Sequence, residues 1–200
     1  QTCKGTEQLT IFVYLTSLQK YLPNKQQIIL DEEHVNTAFT FSCPTNKSEI
    51  VIFRKEEWFK VFIHETFHNL GMDFSDIDIK KSSQILYSHF PIKQNILFFE
   101  TYCEVWAEIL YIIFVCWLDD DTKQDGSLEK RFELSGNLRN KNKKFKSIIK
   151  EIENKMKKQI LFSIFQCNKV LKYNDLDYSD LYKKSDISSR RRKNYKEDSE

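Results

Sequence analysis

What this sequence lacks narrows it first. It has no C-x-x-C pair: its five cysteines (Cys3, Cys43, Cys103, Cys116 and Cys167) are odd in number and scattered. They read as buried thiols in a reducing, intracellular compartment, with one or two disulfides as the alternative. It has almost no charge excess, the formal net charge being +2, so nothing calls for a nucleic-acid partner. It shows no internal repeat and no secretory signal, and it opens on Gln1 rather than Met, which reads as a processed or trimmed chain. What it does have is an apolar fraction of 40% over 200 residues, with 16 Phe and 9 Tyr. That is enough for a packed core without disulfide staples. One domain over 1–182 is expected. The basic stretch 183–200 has almost no apolar residues and reads as a disordered tail.

The chemistry concentrates between Arg54 and Gly71, RKEEWFKVFIHETFHNLG. His64, Glu65 and His68 make an H-E-x-x-H motif. On a helix, histidines four residues apart stand one above the other on a single face. Their ring nitrogens then reach one metal ion, and the Glu between them reaches a water held there. Zinc suits two imidazoles. Trp58, Phe59, Val61, Phe62, Ile63 and Phe67 make the rest of this helix apolar, so most of it should be buried. Leu70-Gly71 reads as its C-terminus, with the glycine in the left-handed position.

Around this stretch, Gln8 to Tyr21 reads as an amphipathic helix. Gln27 to Leu30, His34 to Ser42 and Ile50 to Phe53 read as strands, the last feeding directly into the metal helix. A short helical piece is expected near Gln84, another over Leu128 to Leu134, and a long helix whose stripe runs through Phe145, Ile148, Ile152, Met156 and Ile160. Asn95 to Leu118 is apolar nearly all round and reads as a buried helix. Its length suits a bilayer, but Glu100, Glu104 and Glu108 would be costly in hydrocarbon, so no membrane span is expected.

Those three carboxylates lie at i, i+4 and i+8 on one face. Like charges at that spacing repel, and a buried unpaired carboxylate costs several kcal/mol (roughly). Something cationic should face the row, and a metal held by two neutral imidazoles fits. Carboxylates that do not bind it can accept hydrogen bonds from the far nitrogens of His64 and His68.

The H-E-x-x-H helix resembles the active-site helix of the zincin metallopeptidases. The resemblance implies an α+β fold: a small mixed sheet packed on the motif helix and on a second, Glu-bearing helix, with a helical C-terminal part. It implies Zn2+ held by His64 and His68, with Glu65 as general base for hydrolysis of a protein or peptide substrate. It also implies an edge strand that pairs with substrate backbone, for which Asn36 to Phe41 and Ile50 to Phe53 are the candidates. The metzincin branch needs a third histidine where this chain has Phe74, with Asp73 one residue out of register. The gluzincin branch takes a Glu from a later helix. Glu104-Val105-Trp106-Ala107-Glu108 is similar to the corresponding stretch of the lethal-factor-like group, which implies Glu104 as ligand with Glu108 and Glu100 in support. Thr101 to Ala107 and Gly71 to Ser75 also resemble uncharacterised zincins of large DNA viruses, which would make this a viral or virion-associated protein. Many zincins add a Tyr or His that holds the oxyanion, and Tyr87 and His89 are the candidates here. The competing reading is a zincin-fold binding or structural module whose catalysis is idle.

Overall fold

The structure is a computed structural model and describes residues 8–23, 30, 32–42, 47–90, 96–122 and 138–182. In chain order the elements are β1 (Gln8–Thr16), the single-turn helix α1 (Glu32–Val35), β2 (Ala38–Thr40), β3 (Lys47–Arg54), α2 (Trp58–Asn69), α3 (Lys80–His89), α4 (Phe98–Thr122), α5 (Leu138–Tyr173) and a 3-10 turn (Tyr178–Leu181). The class is α+β, with a three-stranded mixed sheet and a helical C-terminal part. The chain divides into two compact units. One is Gln1–Asp76 with Phe98–Phe162, and the other is Ile77–Leu97 with Ser163–Glu200.

In the first unit β3 is the central strand, parallel to β1 and antiparallel to β2. Its period-two pattern buries Ser48, Ile50, Ile52 and Arg54 on one face. Ile50 and Ile52 pack with Ala38 of β2 and with Val61 and Phe62 of α2. Full burial of each isoleucine contributes roughly 1.5–3 kcal/mol, so this contact fixes α2 on the sheet. Arg54 ends the strand by donating to the carbonyls of Glu33 and His34, which ties α1 to the same corner.

Three sequence expectations change. Gln8 to Tyr21 is not a helix: Gln8–Thr16 is strand β1, paired with β3 from Gln8↔Lys47 to Val13↔Ile52. The run QLTIFVYLT is apolar without a break from Ile11 to Leu15, so it fits a helical and a strand period alike, and its Thr, Ile, Val and aromatic content favours the strand. Strand structure in His34 to Ser42 shrinks to Ala38–Thr40, because Glu32–Val35 forms a helical turn. Finally, α4 is not buried all round. Cys103, Ala107, Ile112 and Cys116 are buried, while Val105, Trp106, Ile113, Phe114 and Trp117 are exposed. The first half of α4 packs against α2, and its second half sets Ile112 and Cys116 against Ile148 of α5, leaving a third side that the described residues of this unit do not cover. Among the described residues Phe98–Leu118 is the one stretch long and apolar enough, by length and composition, to cross a membrane, and its three carboxylates turn towards α2. The expected pieces at 27–29 and 128–134 and the tail at 183–200 lie outside the described residues.

Candidate metal centre

The site is built on α2 and on the turn that closes it. After the C-cap Leu70, the Gly71 N–H bonds the His68 carbonyl at 3.0 Å and the Met72 N–H bonds the Phe67 carbonyl at 2.8 Å. This is a Schellman closure, and Gly71 sits at φ 64°, where a Cβ would clash. The turn throws the next residue back onto the helix. Asp73 is buried, with Oδ2 2.8 Å from Nδ1 of His68, while its Oδ1 accepts from the Ser75 N–H at 3.2 Å and the Ser75 hydroxyl at 2.9 Å. Phe74, at the metzincin ligand position, instead packs edge-on against Tyr102 with centroids 4.6 Å apart, anchoring the turn to α4.

Three donor atoms converge across α2 and α4. His64 Nε2 and His68 Nε2 lie 3.0 Å apart, and each is 3.4 Å from Oε2 of Glu100. Tetrahedral ligands at bonds of about 2.0–2.2 Å stand about 3.3–3.6 Å from one another, so this triangle has close to the size that one ion requires. His64, His68 and Glu100 could therefore hold a metal ion. Behind them stands a second rank. Glu104 Oε2 lies 3.2 Å from Nδ1 of His64, within ion-pair range though not aligned for a straight hydrogen bond. Lys60, one turn before His64 and buried, donates to Oε1 of Glu104. Its ammonium also lies 3.8 Å from Glu57 and 4.0 Å from Glu108.

The structure thus orders the Glu row differently from the resemblance. Glu100, expected in support, meets both Nε2 atoms; Glu104, expected as ligand, meets the back of His64; Glu108 lies one turn further on, towards Lys60. All three share a face, and the level at which α4 crosses α2 decides which one meets the histidines. The row is also less buried than its apolar neighbours imply, the Glu100 and Glu104 side chains being 44% and 51% exposed. The site therefore opens to solvent. Tyr102 engages Phe67, Phe74 and Trp106, in line with a position turned away from the carboxylates. Tyr87 and His89 lie on α3 in the second unit, Tyr87 half-buried and His89 exposed.

Electrostatics follow from this crowding. The two imidazoles hold Glu100 down at about 2. Burial opposes the charged form of Glu104, but His64 and Lys60 outweigh it and hold this carboxyl at about 2 as well. Burial likewise opposes charge on His64, yet Glu100 and Glu104 raise it to about 9. Glu65 goes the other way: desolvation pushes its carboxyl up, against the pull of His64 and His68. Cys103, buried beside these carboxylates, is pushed up to about 12, by burial first and then by the surrounding carboxylates.

No family model, no curated protein and no solved structure matches the chain. The site is read from its own geometry. Sequence reasoning missed Lys60, because a lone lysine between Phe59 and Val61 reads as the solvated side of an otherwise apolar helix. The available signal was its place one turn before His64, facing a row of carboxylates that needs a cation.

Proposed function

We propose that the chain is a zinc-dependent peptidase of the zincin kind, with His64, His68 and Glu100 as metal ligands and Glu65 as general base. The observation that carries this reading is the convergence of two imidazole Nε2 atoms and one carboxylate oxygen at 3.0, 3.4 and 3.4 Å, on the same helix turn as a buried Glu. The charge balance supports it. Glu65, Asp73, Glu100 and Glu104 gather round the histidines, with Glu108 one turn beyond, against the permanent charge of Lys60, and a divalent cation offsets two of the remaining negatives. Two imidazoles and a carboxylate are a donor set that suits zinc with a position left open.

When bound, zinc supplies Lewis acidity towards a water and a substrate carbonyl. The chain's own residues do the rest. Asp73 holds His68 from behind and Glu104 faces the back of His64, so both Nε2 atoms point into the site. Glu65 accepts the proton of the attacking water and returns it to the leaving amine, and a carboxyl raised by desolvation is suited to both duties. The exposed side of Glu100 and Glu104 leaves room for a peptide. Of the two candidate substrate strands, Ile50 to Phe53 lies in central β3, while β2 is an edge strand tied to α2 by the Asn69 amide donating to Thr40 Oγ1 at 2.8 Å. β2 is the strand we assign to substrate pairing.

One observation favours the idle-module reading. With His64 raised to about 9, the cluster can balance itself as imidazolium–carboxylate pairs without metal. Glu65→Gln separates the two. It keeps the shape and removes the base, so zinc should stay while hydrolysis of a broad peptide library disappears. A wild type as silent as the mutant supports the module.

A further inference from the structure

Lys60 has a place in the site that neither the motif nor its spacing assigns. It sits four residues before His64, on the same face of α2, and its side chain is only 10% exposed. A buried ammonium must be paired, and this one points at the carboxylate row rather than at solvent. It donates to Oε1 of Glu104, whose other oxygen lies 3.2 Å from Nδ1 of His64. The two oxygens of one carboxylate therefore connect Lys60 to the metal-facing histidine. His68 has no such chain behind it: its Nδ1 meets Asp73, which is held by Ser75.

We propose that Lys60 is a positioning residue of the metal centre, fixing the Glu104 carboxylate against Nδ1 of His64 so that Nε2 of His64 is presented to the metal. The proposal rests on the metal reading given above. Glu104 is half exposed and on a different helix from His64, so without an anchor its carboxylate is free to rotate into water. Lys60 supplies that anchor from within α2, and its contact with Glu108 at 4.0 Å keeps that carboxylate on the same side, away from the histidines.

Zinc affinity, measured by competition with a chelating dye on the full chain, tests this without reference to activity. Lys60→Met should lower affinity about ten- to a hundred-fold, the range for partners standing behind metal ligands, and Lys60→Arg should restore most of it. In a double-mutant cycle Lys60→Met with Glu104→Gln should lose no more than Glu104→Gln alone, whereas Lys60→Met with Asp73→Asn should lose both effects in full. A purely structural role predicts equal coupling to both carboxylates. If wild type binds no zinc, the metal reading fails and takes this inference with it. If wild type binds and Lys60→Met binds equally well, or couples to Asp73 as strongly as to Glu104, the inference alone is overturned. Should Lys60→Met fail to fold, the wild-type protein decides. The ammonium signal of Lys60 in nitrogen-15 NMR should shift on adding zinc, and an unmoved signal overturns the proposal.

Discussion

Asp73 reaches His68 across the turn that ends α2, its Oδ2 2.8 Å from the ring Nδ1, the two lying five positions apart in the chain. A carboxylate behind an imidazole fixes which nitrogen carries the proton and so which one faces the metal. Asp73→Asn keeps the shape and the Ser75 contacts but weakens that hold. Zinc affinity should fall about ten- to a hundred-fold with the fold intact by circular dichroism. An unchanged affinity would remove Asp73 from the site.

Gly71 makes that reach possible. At φ 64° an alanine costs about 1–2 kcal/mol, and a chain of this size loses about 2–4 °C of melting temperature per kcal/mol. Gly71→Ala should therefore melt several degrees lower and, by displacing Asp73, bind zinc more weakly than wild type. Thermal unfolding and dye competition on the same sample check both effects.

The two carboxylates of α4 nearest the histidines should separate by rank. Glu100→Gln removes the carboxylate proposed as ligand and should abolish tight zinc binding, whereas Glu104→Gln, acting through His64, should cost about ten- to a hundred-fold. The reverse order would restore Glu104 as ligand. In the metal-free protein Glu104→Gln should lower the melting temperature, because it strips Lys60 and His64 of a shared partner.

Without metal, the group should respond to pH with a definite sign. His64 is raised from 6.5 to about 9, so its contribution to stability is complete below about pH 6.5 and is lost as pH rises through 9. Glu100 and Glu104 are lowered from 4.5 to about 2, so theirs is complete above about pH 4.5 and is lost as pH falls towards 2. The metal-free melting temperature should peak between those limits. Zinc requires neutral imidazoles, so its affinity should rise from pH 6 to 9 with release of protons. Affinity independent of pH over that interval would contradict the assignment of His64.

Much of this was legible in the residues. The H-E-x-x-H spacing and Leu70-Gly71 mark α2 and its closure, and the run Ile50 to Phe53 marks the middle of β3, which extends beyond it to Lys47 and Arg54. β1 was not legible, since nine nearly continuous apolar and β-branched residues satisfy both periods and only pairing with β3 decides. That Glu100 and not Glu104 meets both Nε2 atoms was not legible either. Equal spacing on one helix carries no information about the level at which that helix crosses another. The exposure of Trp106, Ile113 and Trp117 lies beyond composition for a related reason: an apolar helix reads as buried whether or not its neighbours cover every side.

The central claim is that His64, His68 and Glu100 hold one zinc ion. Zinc K-edge X-ray absorption on the loaded wild-type chain tests it most directly. The account predicts one zinc per chain in a shell of nitrogen and oxygen at about 2.0–2.2 Å, with the outer-shell scattering of two imidazoles and with an oxygen contribution lost in Glu100→Gln. A sulfur shell at about 2.3 Å, or zinc retained with no imidazole scattering, would contradict it.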